Sequence, residues 1–213
     1  MLELKFYTKA EMTALFGTRG MQGLQRKMRG YGITFEVLGR GESAVFKIQE
    51  IESPFKIYCI TELGFDGHTD FRKLRNYYYY YFNDAEFRAM PNEVQEHRLR
   101  LIHRDVSRQT IANYLEKLHA RNIIQKNSGN YVYYFAHEDT QRIVNKEEYT
   151  EAWKQYWEDI GNGCSSKDAI YNMIRNYNGV ARKQEIPDVN GVYNEEAEKL
   201  CNYIQQDILK ELE

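Results

Sequence analysis

The fold of this chain is indicated most clearly by SRQTIANYLEKL, residues 107–118, which has the pattern of one capped amphipathic helix. Ser107 precedes the first turn, where its hydroxyl can accept a hydrogen bond from an unpaired backbone amide. Apolar residues then recur at i, i+3, i+4 and i+7, which places them on one face. They are Ile111, Tyr114, Leu115 and Leu118. The opposite face is polar and is therefore available to solvent or to a ligand.

A hairpin is predicted directly after this helix. The segments RNII at 121–124 and YVYYF at 131–135 have strand-like composition, and residues 127–130 between them form a turn sequence. Together with a supporting helix predicted over 92–103, the stretch 91–135 resembles the winged helix-turn-helix superfamily. In that family the capped helix enters the major groove of DNA and the hairpin is the wing, so the resemblance implies a nucleic-acid partner.

The N-terminal segment shows the same order of elements. Thr8 and Glu11 have the spacing of a capping box, which predicts the start of a helix. A second helix is predicted over 21–29, and two strands follow over 33–38 and 44–51. This order of helix, turn, helix and hairpin again resembles a winged helix, although the two copies share no obvious sequence repeat.

We therefore predict an α+β protein, mostly helical, with two winged-helix-like modules followed by a helical C-terminal region. The boundary between the modules is placed at Ser53–Pro54, because a proline restricts the preceding residue to extended geometry. Residues 55–60 then have the pattern of a strand or an extended connector. The three predicted segments are the first module at 1–53, the second module at 54–137 and the C-terminal region at 138–213.

Aromatic residues mark two helical stretches. The run of tyrosines from 77 to 81 lies in a predicted helix over 70–82 and covers every face, so we expect it to be core or interface rather than a platform for nucleic-acid bases. Helices are also predicted in the C-terminal third, with residues 180–193 as a long connection between the last two. These helices are candidates for oligomerisation or for docking a partner.

Charge is distributed unevenly along the chain. The formal net charge of -2 is not typical of a DNA-binding protein. However, basic residues predominate between 19 and 40 and again between 97 and 126, whereas acidic residues predominate from 138 onward. The two modules are therefore suited to a polyanion and the C-terminal region is not. The N-terminus lacks an apolar signal core and no long apolar run exists, so we expect a soluble, cytoplasmic protein without membrane contact.

Candidate contacts to DNA follow from the resemblance. The start of the capped helix would approach base edges in the major groove, and its positions are Arg108, Gln109, Thr110 and Asn113. The basic residues placed to contact phosphates are Lys117, Arg121 and Lys126. The corresponding set in the first module is Gln22, Gln25, Arg26 and Arg29, with Arg40 at the tip of its wing. The alternative for every one of these residues is an ordinary solvated surface.

Catalytic signatures are not found in the sequence. The 5 histidines do not join cysteines or carboxylates at a metal-ligand spacing, and the 3 isolated cysteines fit reduced thiols better than a disulfide framework. There is no glycine-rich phosphate loop, nucleophile elbow or HExxH sequence. We therefore expect no enzymatic activity, no metal and no cofactor.

The sequence-based function is sequence-specific binding of double-stranded DNA without catalysis. Transcription regulation and replication initiation on a mobile element both fit this expectation, and the sequence does not separate them. The alternative is a phage or mobile-element protein that inhibits a host nuclease, as anti-CRISPR proteins do, or a host polymerase by protein contact. Tyrosine and arginine are enriched in protein interfaces, which fits that alternative. A homodimer through the C-terminal helices and a host protein are the further partners expected.

Overall fold

The protein is described here by a computed structural model, which places residues 2–102, 104–125, 129–138, 140–187 and 194–212. The described chain is α+β and mostly helical, with ten α-helices and two three-stranded antiparallel sheets, which confirms the predicted fold class. The chain divides into two compact units. The first unit comprises 1–79 together with 193–213, and the second comprises 80–192. The boundaries between these units, after residues 79 and 192, differ from the predicted boundaries after residues 53 and 137.

The helices and strands are numbered in chain order. The helices are α1 (Lys9–Phe16), α2 (Met21–Gly30), α3 (Pro54–Thr61), α4 (Phe71–Asn83), α5 (Ala85–Arg88), α6 (Asn92–Leu101), α7 (Arg108–Ala120), α8 (Lys146–Gly161), α9 (Ser166–Tyr177) and α10 (Glu195–Lys210). The strands are β1 (Phe6–Thr8), β2 (Ile33–Leu38), β3 (Val45–Ile51), β4 (Tyr131–His137), β5 (Thr140–Val144) and β6 (Val180–Glu185).

The first unit is organised around a sheet in the order β1-β3-β2. The predicted capping box is present, because the Glu11 N–H donates to Thr8 Oγ1 at 3.2 Å and the Thr8 N–H donates to Glu11 Oε2 at 2.7 Å. Helices α1 and α2 bury their apolar faces against the sheet, and the fully buried side chains include Met12, Leu24 and Phe46. The predicted helix-turn-helix-hairpin order of elements is therefore observed in this segment.

Residues 54–61 form helix α3, so the prediction of a strand or extended connector over 55–60 is wrong. Ser53 caps the helix by accepting from the Lys56 N–H at 3.0 Å, and Pro54 occupies the first helical position. Proline is favoured at that position because its fixed φ suits the helix and its missing N–H would be unpaired there anyway. The same proline that indicated a boundary therefore begins a helix.

Helix α10 packs against α3 within the first unit. Its apolar face, which includes Ala197, Leu200 and Ile204, is buried there. The Tyr58 hydroxyl donates to Glu196 Oε2 at 2.9 Å and adds a polar contact between the two helices. These three apolar residues of the last helix are thus covered within this chain, whereas Leu209 and Leu212 at its end are exposed.

The second unit contains the predicted helix pair and a sheet in the order β5-β4-β6. Helices α6 and α7 pack together, and α7 buries Ile111, Tyr114, Leu115 and Leu118 as its spacing predicts. Strand β6 pairs with β4 in antiparallel register from Tyr131 opposite Glu185 to Ala136 opposite Val180. The prediction of a plain connection over 180–193 is therefore wrong for 180–185, and the C-terminal third is not purely helical.

The hairpin that follows α7 is displaced from its predicted position. Residues 121–125 form no strand; instead Ile123 and Ile124 are both buried, and the Ile123 N–H donates to the Leu118 carbonyl at 3.0 Å. A half-buried strand would expose one of two adjacent side chains, so these isoleucines fit a helix end that folds back on its own core. The observed hairpin joins β4 to β5, with Phe135 opposite Arg142.

The tyrosine run is enclosed as predicted. Tyr77, Tyr78 and Tyr81 are fully buried, whereas Tyr79 is exposed. In the C-terminal third, α8 and α9 pack on the second sheet around Phe135, Ala152, Met173 and Ala181. Trp157 on α8 stays 63% exposed and is therefore not part of that core.

Candidate nucleic-acid interface

Helix α2 presents a polar face on the first unit. Leu24 and Met28 are fully buried, and the residues at i, i+4 and i+7 on the opposite side are exposed. These are Gln22, Arg26 and Arg29, and Gln25 lies half-buried beside them. The four residues predicted as a set therefore share the outer side of one helix.

The electrostatic environment of α2 favours an anion. None of its ten residues is acidic, and its N-cap, Gly20, supplies no side-chain acceptor to the first turn. The backbone amides at a helix N-terminus attract phosphate through hydrogen bonding and the helix dipole. The Arg26 guanidinium has no ion-pair partner among the residues that the structure describes, and the Arg29 guanidinium lies 5.7 Å from the ring of Phe35. Both charges are available to a ligand.

Lys27 belongs to the same helix but has a structural role. Its Nζ donates to the Phe16 carbonyl at 2.6 Å and lies 5.9 Å from the ring of Tyr31. This contact ties the end of α1 to α2 and stabilises the pair. Lys27 is therefore not counted among the candidate DNA contacts, although it contributes to the basic character of the sequence.

Arg40 lies at the tip of the β2–β3 hairpin and is exposed. The tip is closed by Gly39 and Gly41, both with positive φ, and by a hydrogen bond from Ser43 Oγ to the Arg40 carbonyl at 3.0 Å. Within the described part of the chain its guanidinium has no carboxylate partner. Glu42, two residues along the chain, pairs with Lys9 at 2.5 Å.

The polar face of α7 carries the candidate base contacts of the second unit. Arg108, Gln109 and Asn113 are exposed, and Thr110 is half-buried. Ser107 caps the helix as predicted by accepting from the Thr110 N–H at 3.2 Å, and its hydroxyl lies 2.8 Å from Thr110 Oγ1. Thr110 thus takes part in the cap, while the other three side chains extend from the helix surface.

Two glutamates from α6 meet the start of α7, and the sequence analysis did not identify them. Glu96 Oε2 accepts from the Arg108 N–H at 2.9 Å, and Glu96 Oε1 pairs with Arg100 at 3.0 Å. Glu93 Oε2 lies 3.8 Å from Arg108 Nη1. The N-terminus of α7 therefore already holds a carboxylate, and the charge of Arg108 is partly neutralised.

Glu93 also connects α6 to the sheet of the second unit. Its two carboxylate oxygens lie 3.1 and 2.8 Å from Arg182 Nη1, and it accepts from the Tyr134 hydroxyl at 3.3 Å. Burial and the neighbouring Glu93 charge raise the pKa of Tyr134. Arg182 is thus committed to a structural ion pair. Because 89 residues separate Arg182 from Glu93, no local sequence signal could have indicated this pair.

The remaining phosphate candidates lie toward the end of α7. Lys117 is half-buried and Arg121 is exposed at the C-cap position. Lys126 lies outside the described residues. A cavity of about 410 Å³ opens at the other end of the helix and is lined by both Arg108 and Gln109, together with Glu93, Glu96 and Glu138. Its lining thus contains three acidic side chains beside Arg100 and Arg108, whereas none of the ten residues of α2 is acidic.

The described residues contain no group of three or more His, Cys, Asp or Glu side chains arranged to hold a metal ion. None of the described helices is long and apolar enough to cross a lipid bilayer. Comparisons with protein-family models, with curated proteins and with solved structures find no match to this chain.

Proposed function

We propose that this protein binds double-stranded DNA without catalysis, with the outer face of α2 as its principal contact. The observation that carries the proposal is the combination of an acid-free amphipathic helix, an N-terminus without a side-chain cap, and the exposed row of Gln22, Arg26 and Arg29. A hairpin with the exposed Arg40 at its tip follows directly. This is the order of elements that carries the resemblance to winged helix-turn-helix proteins.

Each residue type has a distinct role in this proposal. Side-chain amides such as those of Gln22 and Gln25 pair with adenine in the major groove and would contribute sequence preference. Arg26 and Arg29 would contact flanking phosphates, which supply affinity and orientation. Arg40 would reach the DNA backbone from the hairpin. The first-turn amides of α2 add donors for one further phosphate.

Helix α7 is proposed as the second contact with DNA, and there base contacts matter more than attraction to phosphates. Arg108, Gln109 and Asn113 are exposed and suited to base edges. The carboxylates of Glu93 and Glu96 face the same helix start, however, and repel phosphate. We therefore assign base contacts to α7. Arg108 would give up its ion pair with Glu93 to reach a base, so its net electrostatic contribution to affinity would be small.

Transcription regulation and replication initiation on a mobile element remain the two biological settings proposed for this binding. A titration of the purified protein with random-sequence duplex, followed by fluorescence anisotropy at increasing salt, tests the proposal. Binding should weaken steeply with salt because phosphate contacts release counterions. Single-stranded DNA of equal length should bind more weakly. Equal or absent binding of both forms would contradict the proposal.

A second candidate function is favoured by exposed apolar residues on the second unit. Trp157, Tyr171 and Ile143 are 63%, 59% and 49% exposed, and the α8 helix on which Trp157 lies is rich in glutamate. Exposed apolar side chains of this size suit a protein partner: a second copy of the chain or a host nuclease or polymerase that the protein inhibits. Trp157→Ala should then abolish co-purification of that partner and leave DNA binding unchanged.

A further inference from the structure

Strand β5 forms one outer edge of the second sheet, whose order is β5-β4-β6. Its five residues have the sequence TQRIV, and it contacts chiefly β4. Because β4 covers only one side of β5, every second residue of β5 directs its backbone N–H and C=O groups away from the sheet. Such an edge is a template on which a further strand can pair.

The hydrogen-bond pattern of the sheet identifies the groups that point outward. The Ile186 N–H donates to the Asn130 carbonyl at 3.0 Å, in the register that pairs β6 with β4. Bonded and non-bonded pairs alternate along an antiparallel ladder, so the even-numbered residues of β4 bond to β6 and the odd-numbered residues bond to β5. The residues of β5 opposite these odd-numbered positions are Thr140, Arg142 and Val144. The backbone groups of Gln141 and Ile143 therefore face away from β4, and they make no hydrogen bond within the described part of the chain.

The other edges of the two sheets carry features that oppose strand addition. Strand β1 is 3 residues long, and β2 is interrupted by an irregularity between Thr34 and Phe35. On β6, the N–H of Ala181 donates to the Met173 sulfur of α9 at 3.3 Å. Short strands, bulges and covering elements all protect a sheet edge. In contrast, β5 pairs with β4 in unbroken register, contains no proline, and leaves Ile143 49% exposed.

The one charged residue of β5 is already paired. Side chains alternate between the two faces of a strand, so Arg142 and Ile143 lie on opposite faces. The Arg142 guanidinium donates to both carboxylate oxygens of Glu148 on α8, at 2.5 and 3.2 Å. This ion pair offsets the charge that would otherwise repel an approaching strand with a basic residue at the same place. The edge therefore combines unpaired backbone groups with an exposed β-branched side chain.

We infer that two copies of this chain associate through β5, which pairs with β5 of the second copy in antiparallel orientation. Gln141 of each copy lies opposite Ile143 of the other, so all outward N–H and C=O groups of both residues are paired. This register is symmetric, as a twofold interface requires. Arg142 lies opposite its equivalent, and each is neutralised by its own Glu148. The two three-stranded sheets become one continuous sheet, and the Ile143 side chain is covered.

Analytical ultracentrifugation of the whole protein tests this inference. A single pair of strands covers less than the roughly 1,200 Å² that stable complexes bury, so we expect a weak dimer with a dissociation constant on the order of 100 µM. As the concentration rises from about 5 to about 500 µM, the measured mass should increase from that of one 25.4 kDa chain toward twice this value. A protein that stays monomeric over this range overturns the inference, even if a strand of another protein binds to the edge.

Variants at Ile143 locate the interface. Ile143→Pro removes an outward N–H, and proline is tolerated on an edge strand where that group would face solvent. Ile143→Lys instead adds a charge to the edge. Each variant should weaken dimerisation at least about tenfold, whereas Leu209→Lys, the matched change at another exposed apolar residue, should leave it unchanged. Equal dimerisation of Ile143→Lys and Leu209→Lys overturns the inference, and this comparison decides the question if Ile143→Pro fails to fold.

Amide hydrogen exchange gives a readout on the unmodified protein. The amides of Gln141 and Ile143 should exchange more slowly as the protein concentration rises, because they find acceptors only in the dimer. A dimer that leaves both amides unprotected, or that Trp157→Ala dissociates as strongly as Ile143→Lys does, would place the interface elsewhere and overturn the inference. None of the proposed DNA contacts lies on β5, and no DNA enters these measurements, so the two proposals fail separately.

Discussion

Removal of both arginines from the outer face of α2 should reduce the salt dependence of DNA binding by a predictable amount. Arg26 and Arg29 are exposed, no residue of α2 is acidic, and neither guanidinium pairs with a carboxylate among the residues that the structure describes. Each phosphate contact contributes about 0.9 to the slope of log K against log salt concentration. The double variant Arg26→Ala/Arg29→Ala should therefore lose about 2 from the slope. Between about 50 and 200 mM salt, the affinity of the variant should fall about tenfold less than that of the unmodified protein.

The assay is fluorescence anisotropy with a labelled duplex at several salt concentrations. Arg175→Ala is the matched control, because Arg175 is an exposed arginine on the surface of another helix, α9, and should change the slope by far less than one contact. The free energy of unfolding of the double variant should fall by no more than about 1 kcal/mol, since the contact of Arg29 with the Phe35 ring is the one side-chain contact of either arginine among the described residues. A slope equal to that of the Arg175→Ala control would refute the assignment of α2 as the phosphate-binding surface.

Four further outcomes follow from the same structure. Arg108→Ala should lower the salt slope by less than one phosphate contact, measured by the same titration, because Glu93 already offsets its charge. Leu24→Ala should lower the free energy of unfolding by about 2–5 kcal/mol in urea titration, because the side chain is fully buried. Ser53→Ala should cost about 1–3 kcal/mol by the same method, because it removes both the α3 cap and a donor to Asp207. Burial raises the pKa of Asp207, so the folded state binds its proton more tightly than the unfolded state does. The stability of the unmodified protein relative to Asp207→Asn should therefore fall as pH rises from the unfolded pKa of about 3.9 through the folded pKa. A difference in stability that stays constant with pH would contradict this.

Local sequence patterns correctly predicted the helices that are determined by neighbouring residues. The capped helix at α7 and the capping box of α1 are both present, because a cap and an apolar periodicity act within a few residues. The same reasoning located the exposed set on α2. These features depend on neighbours in the chain and need no knowledge of what packs against them.

The incorrect predictions depend on distant residues. Residues 180–185 form β6 because β4 offers an edge to pair with, and nothing in their own pattern indicates that edge. Likewise, Glu93 and Glu96 change the character of the α7 surface only because α6 packs beside it. Pro54 was interpreted as a boundary, yet it begins α3, whose Phe55, Ile57, Tyr58 and Cys59 side chains are buried within the first unit. Local reasoning therefore located the candidate contact residues but could not determine their electrostatic environment.

The central claim of sequence-preferring DNA binding is tested most directly by selection from a pool of random duplexes at physiological salt, followed by sequencing. We predict an enriched motif with the unmodified protein, and loss of part of that motif with Gln22→Ala/Gln25→Ala, because these amides would contact base edges. A folded protein that enriches no sequence, or an enriched motif that the variant leaves unchanged, would contradict the account of α2 as a sequence-reading helix.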